Sequence, residues 1–447
     1  MNFDMVKNKL IEEAQNAGLA EYEIYFMESE GISTETLKGE ISSFSSEVSG
    51  GISFRCIVNG HIGRAATELF TESEMKALVE RAINNAKYIE NDDKAVIYAG
   101  AERYETPNLP PMPHESAAEL KNRSLELLES TMKQSEYMAD STQTGATRAK
   151  VRMELINSHG LHLSNEVGAS LSFVQAVVEK DGEAQYGIAV AKGITGDEVA
   201  DMPRKATEEA ESKIGACEIE SGKYDVIIDG ERMRSLLSAY CSVFSGRQAN
   251  LGLSLLKGKE GEKIAAPCVT LVDDPLYEGS QMQTGFDGEG VATYRKNVIE
   301  NGVLNTLLYD IASADKVGKE STGNGQRGGY ASAVGIAPFH FYIKPGDCSE
   351  EELLQRLGDG IYITELKGLH AGANAVTGDF SIESFGYRVR NGKKCEAVRS
   401  FTIAGNFFEL LNNIEALSEE VKFSIATSFT VFGSPDVLIR KLSIAGT

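Results

Sequence analysis

The sequence contains no tryptophan and little cysteine, with six thiols in 447 residues. No two cysteines form a C-x-x-C pair, which argues against a disulfide framework and against a zinc knuckle. No segment reaches the ~18 apolar residues that a membrane span requires, and an early acid interrupts the N-terminal residues, so we expect neither a transmembrane segment nor a secretory signal. These absences predict a protein of the reducing cytoplasm.

Basic side chains are also scarce. The chain has 44 Lys and Arg against 66 Asp and Glu, which gives a formal net charge of −22. Such a surface repels phosphate backbones and anionic lipids, so we expect no direct binding to nucleic acid or membranes. Hydrophobic residues at 42% and charged residues at 25% are typical of a folded globular protein. At roughly 100–200 residues per domain, the length indicates two to four domains.

Prolines mark the clearest boundary, since four of the ten lie within residues 105–114. Proline interrupts helices and central strands, so residues 1–105 are assigned to an N-terminal α+β domain. Within it, Asn59-Gly60 between two apolar runs predicts a tight hairpin. A helix is predicted from the capping residue Thr71 to Ala86, because apolar residues recur there at helical spacing.

Residues 114–220 are assigned to a middle helix-and-hairpin domain. Its composition predicts helices over residues 116–134 and 202–214, and Asp181-Gly182 predicts the turn of the hairpin. A new apolar strand follows at residues 225–228, which places a second boundary near residue 221.

Residues 222–447 are assigned to a C-terminal β-rich domain, with hairpin signals at Asn301-Gly302 and Asn391-Gly392. One helix is predicted after the capping residue Asn406, with an apolar stripe on one face. The stripe consists of Phe408, Leu411, Ile414 and Leu417. The predicted class is therefore α+β, with an N-terminal mixed α/β region followed by a larger strand-rich C-terminal domain.

Motifs that carry known chemistry are mostly missing. The sequence has no H-E-x-x-H, no G-x-S-x-G and no G-x-x-x-x-G-K-[ST]. His159 and His162 are the one close histidine pair, and we interpret them as solvated turn residues because no third ligand accompanies them. Residues 323–328 match G-x-G-x-x-G, but no helix pattern follows, so a flexible loop is the better interpretation.

Residues 370–379 combine glycines with polar side chains between apolar strands. One interpretation is a functional loop at the rim of a peptide groove, with His370, Asn374, Thr377 and Asp379 as candidate contacts. The other interpretation, which the residues favour slightly, is a turn-and-bulge connection with no binding role.

Two groups of sequence blocks carry a family resemblance. The first group contains GFDGEGVAT at 285–293, IENGVL at 299–304, LYD at 308–310 and ESTGNG at 320–325. The second contains GLHAG at 368–372, TGDFS at 377–381 and IAGN at 403–406, together with residues 51–86. These blocks, which extend over most of the chain, resemble the TldD/PmbA family, also known by the name modulator of DNA gyrase.

The resemblance implies a function. The family pairs two related subunits into a cytoplasmic zinc metalloprotease that cleaves unfolded peptides and trims peptide precursors. Only the TldD-type subunit carries the metal, through a helix with H-E-x-x-x-H and a cysteine near the C-terminus.

This sequence departs from that metal motif. Ser238, Ala239 and Val243 stand where the related subunit has His, Glu and His, and residues 424–430 lack the thiol. Zinc at a catalytic site needs three protein ligands, so we expect no metal, no other cofactor and no catalytic residue in this chain. Cys241, in the same segment, is interpreted as a small apolar filler. The chain thus resembles the PmbA/TldE-type subunit.

We therefore expect a non-catalytic subunit whose partners are a zinc-bearing TldD-type chain and unfolded or extended peptides. The alternative is a stand-alone peptide-binding or regulatory homodimer without hydrolytic activity. A hydrolase with a Ser/His arrangement formed between distant residues is a third possibility.

Overall fold

The first half of the chain is built on one six-stranded antiparallel sheet, seen in a computed structural model that describes residues 3–90, 93–426 and 429–446. The strands are β1 (Tyr22–Leu37), β2 (Glu40–Val58), β3 (His61–Thr67), β4 (Gln143–Asn157), β5 (His162–Lys180) and β6 (Glu183–Lys192). Their order across the sheet is β3-β2-β1-β4-β5-β6. The strands on either side of the proline segment therefore share one sheet, and the division into domains there stays a prediction.

Four helices accompany this sheet. They are α1 (Phe3–Asn16), α2 (Glu72–Lys87), α3 (Ala117–Met132) and α4 (Asp197–Ser212). Helices α1 and α2 pack their apolar faces on β1 and β2, while α3 and α4 cover β4 to β6. The predicted cap at Thr71 is confirmed, because its side chain accepts a hydrogen bond from the amide of Glu74. Helix α3 begins with a capping box between Ser116 and Glu119, which was not predicted.

The predicted hairpin turns are present. Asn59 and Gly60, and likewise Asp181 and Gly182, adopt positive φ angles between adjacent strands, as a tight primed turn requires. Helix α4 begins five residues before the predicted start at Met202, directly after Gly196.

The second half of the chain contains short helices and more strands. The helices are α5 (Gly230–Ala239), α6 (Gly246–Asn250), α7 (Ile311–Asp315), α8 (Glu350–Leu357), α9 (Leu369–Gly372) and α10 (Phe407–Asn412). The strands are β7 (Gly222–Ile228), β8 (Leu271–Asp273), β9 (Lys296–Glu300), β10 (Val303–Leu304), β11 (Gly325–Gln326), β12 (Gly335–Ile336), β13 (His340–Ile343), β14 (Gly360–Lys367), β15 (Asp379–Arg390), β16 (Lys393–Asn406), β17 (Ile414–Leu417), β18 (Lys422–Phe423), β19 (Val431–Ser434) and β20 (Val437–Ala445).

These strands form two larger sheets and one two-stranded ribbon. One sheet has the order β10-β9-β8-β13-β19-β18, and the other has the order β16-β15-β14-β7-β20-β17. Strand β16 also pairs with β20, so the second sheet closes into a barrel. The largest apolar core lies between this barrel, α5, α10 and the neighbouring sheet. The predicted α+β class with a strand-rich C-terminal region is confirmed.

One predicted helix is too long. Asn406 does cap α10, but the helix ends at Asn412, and residues 414–417 form strand β17 instead of a further helical turn. The three-residue spacing of Ile414 and Leu417 suits a helix and not the alternation of a strand, but the backbone of the segment pairs with β20, and both side chains are buried there. Within the described residues, no helix is long and apolar enough to cross a bilayer.

Candidate functional site

A cavity of about 640 Å³ lies beside the last turn of α5 and is called the α5 cavity below. It is lined by Arg234, Ser235, Ser238, Ala239, Leu369, His370, Ala373, Ser424, Ile425, Thr430 and Phe432. Three parts of the chain thus meet here: the end of α5, the short helix α9 and the segment around β18 and β19. Two of the three positions that the resemblance aligns with the zinc motif, and His370, share this cavity.

Side-chain hydrogen bonds and ring stacking stabilise both ends of α5. At its start, Asp229 caps the helix by accepting a hydrogen bond from the amide of Glu231 at 2.8 Å. At its end, the Tyr240 ring stacks on Phe407 with centroids 4.4 Å apart, and its hydroxyl donates to the carbonyl of Asp379 at 2.6 Å. The α-helix stops at Ala239, and a single 3₁₀ turn follows at Cys241–Phe244.

This geometry separates the three aligned positions. Ser238 and Ala239 line the cavity, whereas Val243 lies in the 3₁₀ turn and is buried in the apolar core. Zinc requires nitrogen, sulfur or carboxylate ligands, and a hydroxyl, a methyl and an isopropyl group do not fit it. Burial raises the pKa of the Cys241 thiol to about 12, so this thiol stays protonated and is a poor ligand. The residues here do not fit a zinc ion.

The other candidates from residues 370–379 have different surroundings. His370 lines the α5 cavity, while the side chain of Asn374 accepts hydrogen bonds from the amides of Val376 and Thr377. The hydroxyl of Thr377 accepts from the amide of Asp379. These bonds form a turn between α9 and β15, and the assignment of the four residues to a peptide groove stays a prediction.

A second cavity of about 730 Å³ adjoins the first, since Arg234 and Ile425 line both. One of its walls is the exposed face of β6, an edge strand, where Tyr186, Ile188 and Val190 alternate. Six basic and five acidic side chains also line this cavity. The cavity, called the β6 cleft below, therefore combines an apolar strip with a nearly balanced charge in a strongly acidic protein.

Lys422 also lines the β6 cleft. Its ammonium group contacts the carboxylates of Asp229 and Asp436, each at 2.7 Å, and the Tyr362 hydroxyl donates to Asp436 at 2.8 Å. Burial alone would raise the pKa of Asp229, but Lys422 outweighs it and holds that pKa below its usual value. Burial opposes the charge of Lys422 as well, yet the two carboxylates raise its pKa. The cluster fixes β18 and β20 to the N-terminal end of α5.

A second buried network joins the first sheet to the glycine-rich segment 323–328. Glu23 of β1 accepts two hydrogen bonds from Arg55 at 2.7 Å and another from Arg327, and all three side chains are buried. Residues 323–328 were predicted as a flexible loop from the sequence. They form no helix, but Asn324 is fully buried and donates to Asp273 at 2.7 Å, which shows an ordered segment.

Two buried carboxylates, Asp287 and Glu289, lie against this segment. Asp287 accepts hydrogen bonds from the amides of Glu289, Val291 and Gly325, and Glu289 accepts one from the amide of Ile311. A Cβ atom at Gly325 would lie 2.9 Å from a Glu289 oxygen and 3.1 Å from an Asp287 oxygen, so a larger residue would have to displace these carboxylates. Burial, and next the charge of Glu289, raises the pKa of Asp287 to about 8.

One serine lies against a histidine deep in the second half. The Nε2 atom of His340 is 2.5 Å from the Ser280 hydroxyl, and burial lowers the pKa of this histidine to about 4. Among the described residues, no carboxylate accepts a hydrogen bond from its Nδ1 atom, as a catalytic triad would require. His159 and His162, by contrast, lie at the exposed turn between β4 and β5, as predicted.

Comparison with known families identifies the fold. The sequence model described as the PmbA/TldA metallopeptidase C-terminal domain matches residues 221–446, and that of the PmbA/TldA metallopeptidase domain 1 matches residues 22–86. This chain belongs to the PmbA/TldD family. The family resemblance expected from the sequence is thereby confirmed.

Individual members of the PmbA/TldD family agree over almost the whole chain. The Escherichia coli O157:H7 metalloprotease PmbA is 25% identical, covering 98% of this chain and 97% of its own. A Thermotoga maritima structure that carries a modulator-of-DNA-gyrase name is 29% identical, covers 99% of this chain and 100% of its own, and has a TM-score of 0.89. TldE from Thermococcus kodakarensis shares the fold, at 23% identity and a TM-score of 0.87 over 99% of each chain.

The cavities and buried networks of this PmbA/TldD-family chain had only faint sequence signals. The G-x-G-x-x-G pattern marks the segment that packs against Asp287 and Glu289. No helix begins directly after this segment, although a pyrophosphate-binding G-x-G-x-x-G requires one. The alternation of Tyr186, Ile188 and Val190 was part of the predicted hairpin, but the sequence does not tell which face of an edge strand stays open.

Proposed function

We propose that this chain is the zinc-less subunit of a cytoplasmic metalloprotease, which cleaves unfolded or precursor peptides only together with a zinc-bearing TldD-type chain. The observation that carries the proposal is the α5 cavity. It presents Ser238 and Ala239 at the positions where the resemblance implies a histidine and a glutamate, and it holds Val243 away in the core. A subunit of this kind contributes peptide contacts and leaves hydrolysis to its partner.

The β6 cleft supports a role in peptide binding. Its apolar strip suits side chains of an unfolded peptide, because such peptides expose residues that a folded protein buries. Its nearly balanced charge favours neither acidic nor basic sequences. The six free thiols of the chain support the cytoplasmic location, since an oxidising compartment favours disulfides.

The decisive experiment compares the chain alone, the zinc-bearing relative alone and the mixture in a peptide-cleavage assay with metal analysis. We expect activity and zinc to require the relative, and the mixture to cleave faster than either chain. Two variants test the assigned roles. S238A should leave the activity of the mixture unchanged, whereas I188D in the β6 cleft should raise KM several-fold.

The matched control is V317D, which places the same charge at a similarly exposed apolar residue outside both cavities. Cleavage by this chain alone with one bound zinc would refute the proposal. The alternative function, a stand-alone peptide-binding or regulatory homodimer, predicts instead that the chain alone binds a fluorescent extended peptide in an I188D-sensitive way and that the relative adds nothing.

A further inference from the structure

The α5 cavity differs in charge from the rest of the protein. The chain carries 66 acidic and 44 basic side chains, yet none of the described residues that line this cavity is acidic. The lining contains one permanently charged group, Arg234, and its other polar residues are His370, three serines and one threonine. The remaining five lining residues are apolar. A cavity with this composition favours an anion that carries an apolar group.

The Arg234 side chain is fixed in position but only partly neutralised. It is 17% exposed, and its Nη1 atom donates a hydrogen bond to the carbonyl of Phe423. Its one ion pair among the described residues is with Glu231, whose carboxylate lies 3.5 Å from Nη2. The same carboxylate lies closer, at 3.2 Å, to Arg232. These contacts use at most two of the five N–H donors of the guanidinium group, so Arg234 can still form a bidentate bond to a second carboxylate.

Burial makes the charge of Arg234 unfavourable. It lowers the pKa of this group, and the attraction of Glu231 and Asp229 does not offset the effect. Arg232 adds a repulsion, and Asp229 lies 2.7 Å from a different cation, Lys422. A lowered arginine pKa means that the surroundings stabilise the cation less than water does. A carboxylate ligand would supply this missing stabilisation.

The α5 cavity continues into the β6 cleft, because Arg234 and Ile425 line both. Their volumes of about 640 and 730 Å³ are each typical of a ligand site. An extended peptide can therefore lie with its side chains on the apolar strip of β6 and with its last residue in the α5 cavity. The terminal carboxylate of such a peptide is the anion, and its last side chain is the apolar group, that the α5 cavity favours.

We propose that Arg234 binds the C-terminal carboxylate of an extended peptide in the α5 cavity, while the residues before the terminus lie in the β6 cleft. This inference rests on the peptide-binding role proposed above and names the group that is recognised. Recognition of a terminus suits a cleft of nearly balanced charge, because every peptide with a free end carries this carboxylate whatever its sequence. The other source of a carboxylate is an acidic side chain within the peptide, which a matched peptide distinguishes.

Three fluorescent peptides test the proposal in anisotropy titrations of the chain alone. All share one sequence that ends in leucine and carry the dye at the N-terminus. The first has neutral side chains and a free C-terminal carboxylate, the second is its C-terminal amide, and the third is the amide with one internal glutamate. We expect the free acid to bind roughly 10- to 100-fold more tightly than either amide, because charge-assisted hydrogen bonds contribute a factor of this size.

Variants assign the preference to one arginine. R234Q should abolish the preference for the free acid without changing the dissociation constant of the amide, and R234K should restore part of it because it keeps the charge. The matched control is R232Q, which removes a neighbouring arginine that lines the β6 cleft but not the α5 cavity, and it should keep the preference. I188N, a neutral change in the apolar strip, should weaken the acid and the amide by the same factor.

Thermal unfolding of each variant separates binding from folding, since a merely structural Arg234 would lower the melting temperature and affect acid and amide equally. Equal binding of the free acid and the amide by the native chain would overturn the inference. So would binding of the glutamate peptide as tight as that of the free acid, or loss of the preference in R232Q but not in R234Q. If none of the peptides binds, the inference also fails, whereas cleavage by the mixture of the two chains judges the proposed function separately.

Discussion

Lys422 offers the sharpest test of how the start of α5 is stabilised. The K422M variant keeps the length of the side chain but removes the ammonium group that contacts Asp229 and Asp436. Two adjacent carboxylates then lack their cation. Breaking a buried ion pair costs about 3–5 kcal/mol, and since 29% of the Lys422 side chain is exposed, solvent screening lowers our expectation to about 2–3 kcal/mol. The melting temperature should fall by roughly 2–3 °C, because 447 residues at about 2.1 cal/mol/K each give an unfolding entropy of about 0.9 kcal/mol/K.

The loss should depend on pH. In the native chain the lowered pKa of Asp229 contributes stability above the ordinary aspartate value near 4, and this contribution is lost as the pH falls through the lowered value. Lys422 has a raised pKa, so its contribution is complete throughout neutral pH. In K422M, repulsion between the carboxylates raises their pKa values instead. The difference in melting temperature between variant and native chain should therefore be larger at pH 8 than at pH 5.

Calorimetry or urea unfolding at these two pH values measures the effect. The control is K133M, which removes an exposed ion pair with Glu129 and should leave the melting temperature nearly unchanged, because solvent screens that pair. Equal destabilisation of K422M at pH 5 and pH 8 would show that Lys422 acts through packing and would contradict the electrostatic account.

Two further predictions concern Glu289 and Asn374. Because the pKa of Asp287 is raised in the folded chain, the free energy of unfolding should decline as the pH rises from about 4 to about 8, where the carboxyl ionises in the unfolded chain first. E289Q removes a neighbouring negative charge and should make this decline smaller in urea unfolding. An unchanged decline would contradict the coupling between the two carboxylates. N374A removes the acceptor for two backbone amides and should cost about 1 kcal/mol and speed hydrogen exchange at Val376 and Thr377, whereas H370A should not. Unaltered exchange in N374A would show that the turn does not depend on this side chain.

Local chemistry made much of the fold predictable. Asn59-Gly60 and Asp181-Gly182 each indicate a turn that few other residue pairs adopt, and the cap at Thr71 depends on a neighbour three residues away, Glu74. The error at β17 has the opposite origin. The three-residue spacing of Ile414 and Leu417 fits a helix and not the alternation of a strand, and the strand that nevertheless pairs with this segment, β20, begins twenty residues after Leu417, at Val437.

The candidate site was predictable only in part, because it too depends on contacts between residues that are distant in the sequence. The positions of Ser238 and Ala239 came from the family resemblance, and both line the α5 cavity. No local pattern reveals that the helix ends at Ala239 and turns Val243 into the core, because this depends on the stacking of Tyr240 against Phe407. The cleft beside β6 also requires the placement of α5, which only the tertiary structure gives.

The contact between Glu23 and Arg327 has a consequence for the order of folding during synthesis. The two residues are 304 positions apart, whereas the last strand of the first sheet ends at Lys192. At about 5–20 residues per second, the ribosome needs roughly 7–27 s to make the 135 residues between Lys192 and Arg327. If the first sheet forms as soon as its strands are synthesised, Arg55 is the cationic partner of Glu23 throughout this interval. We therefore expect Arg55 to neutralise Glu23 first, and Arg327 to connect the completed sheet to the second half of the chain afterwards.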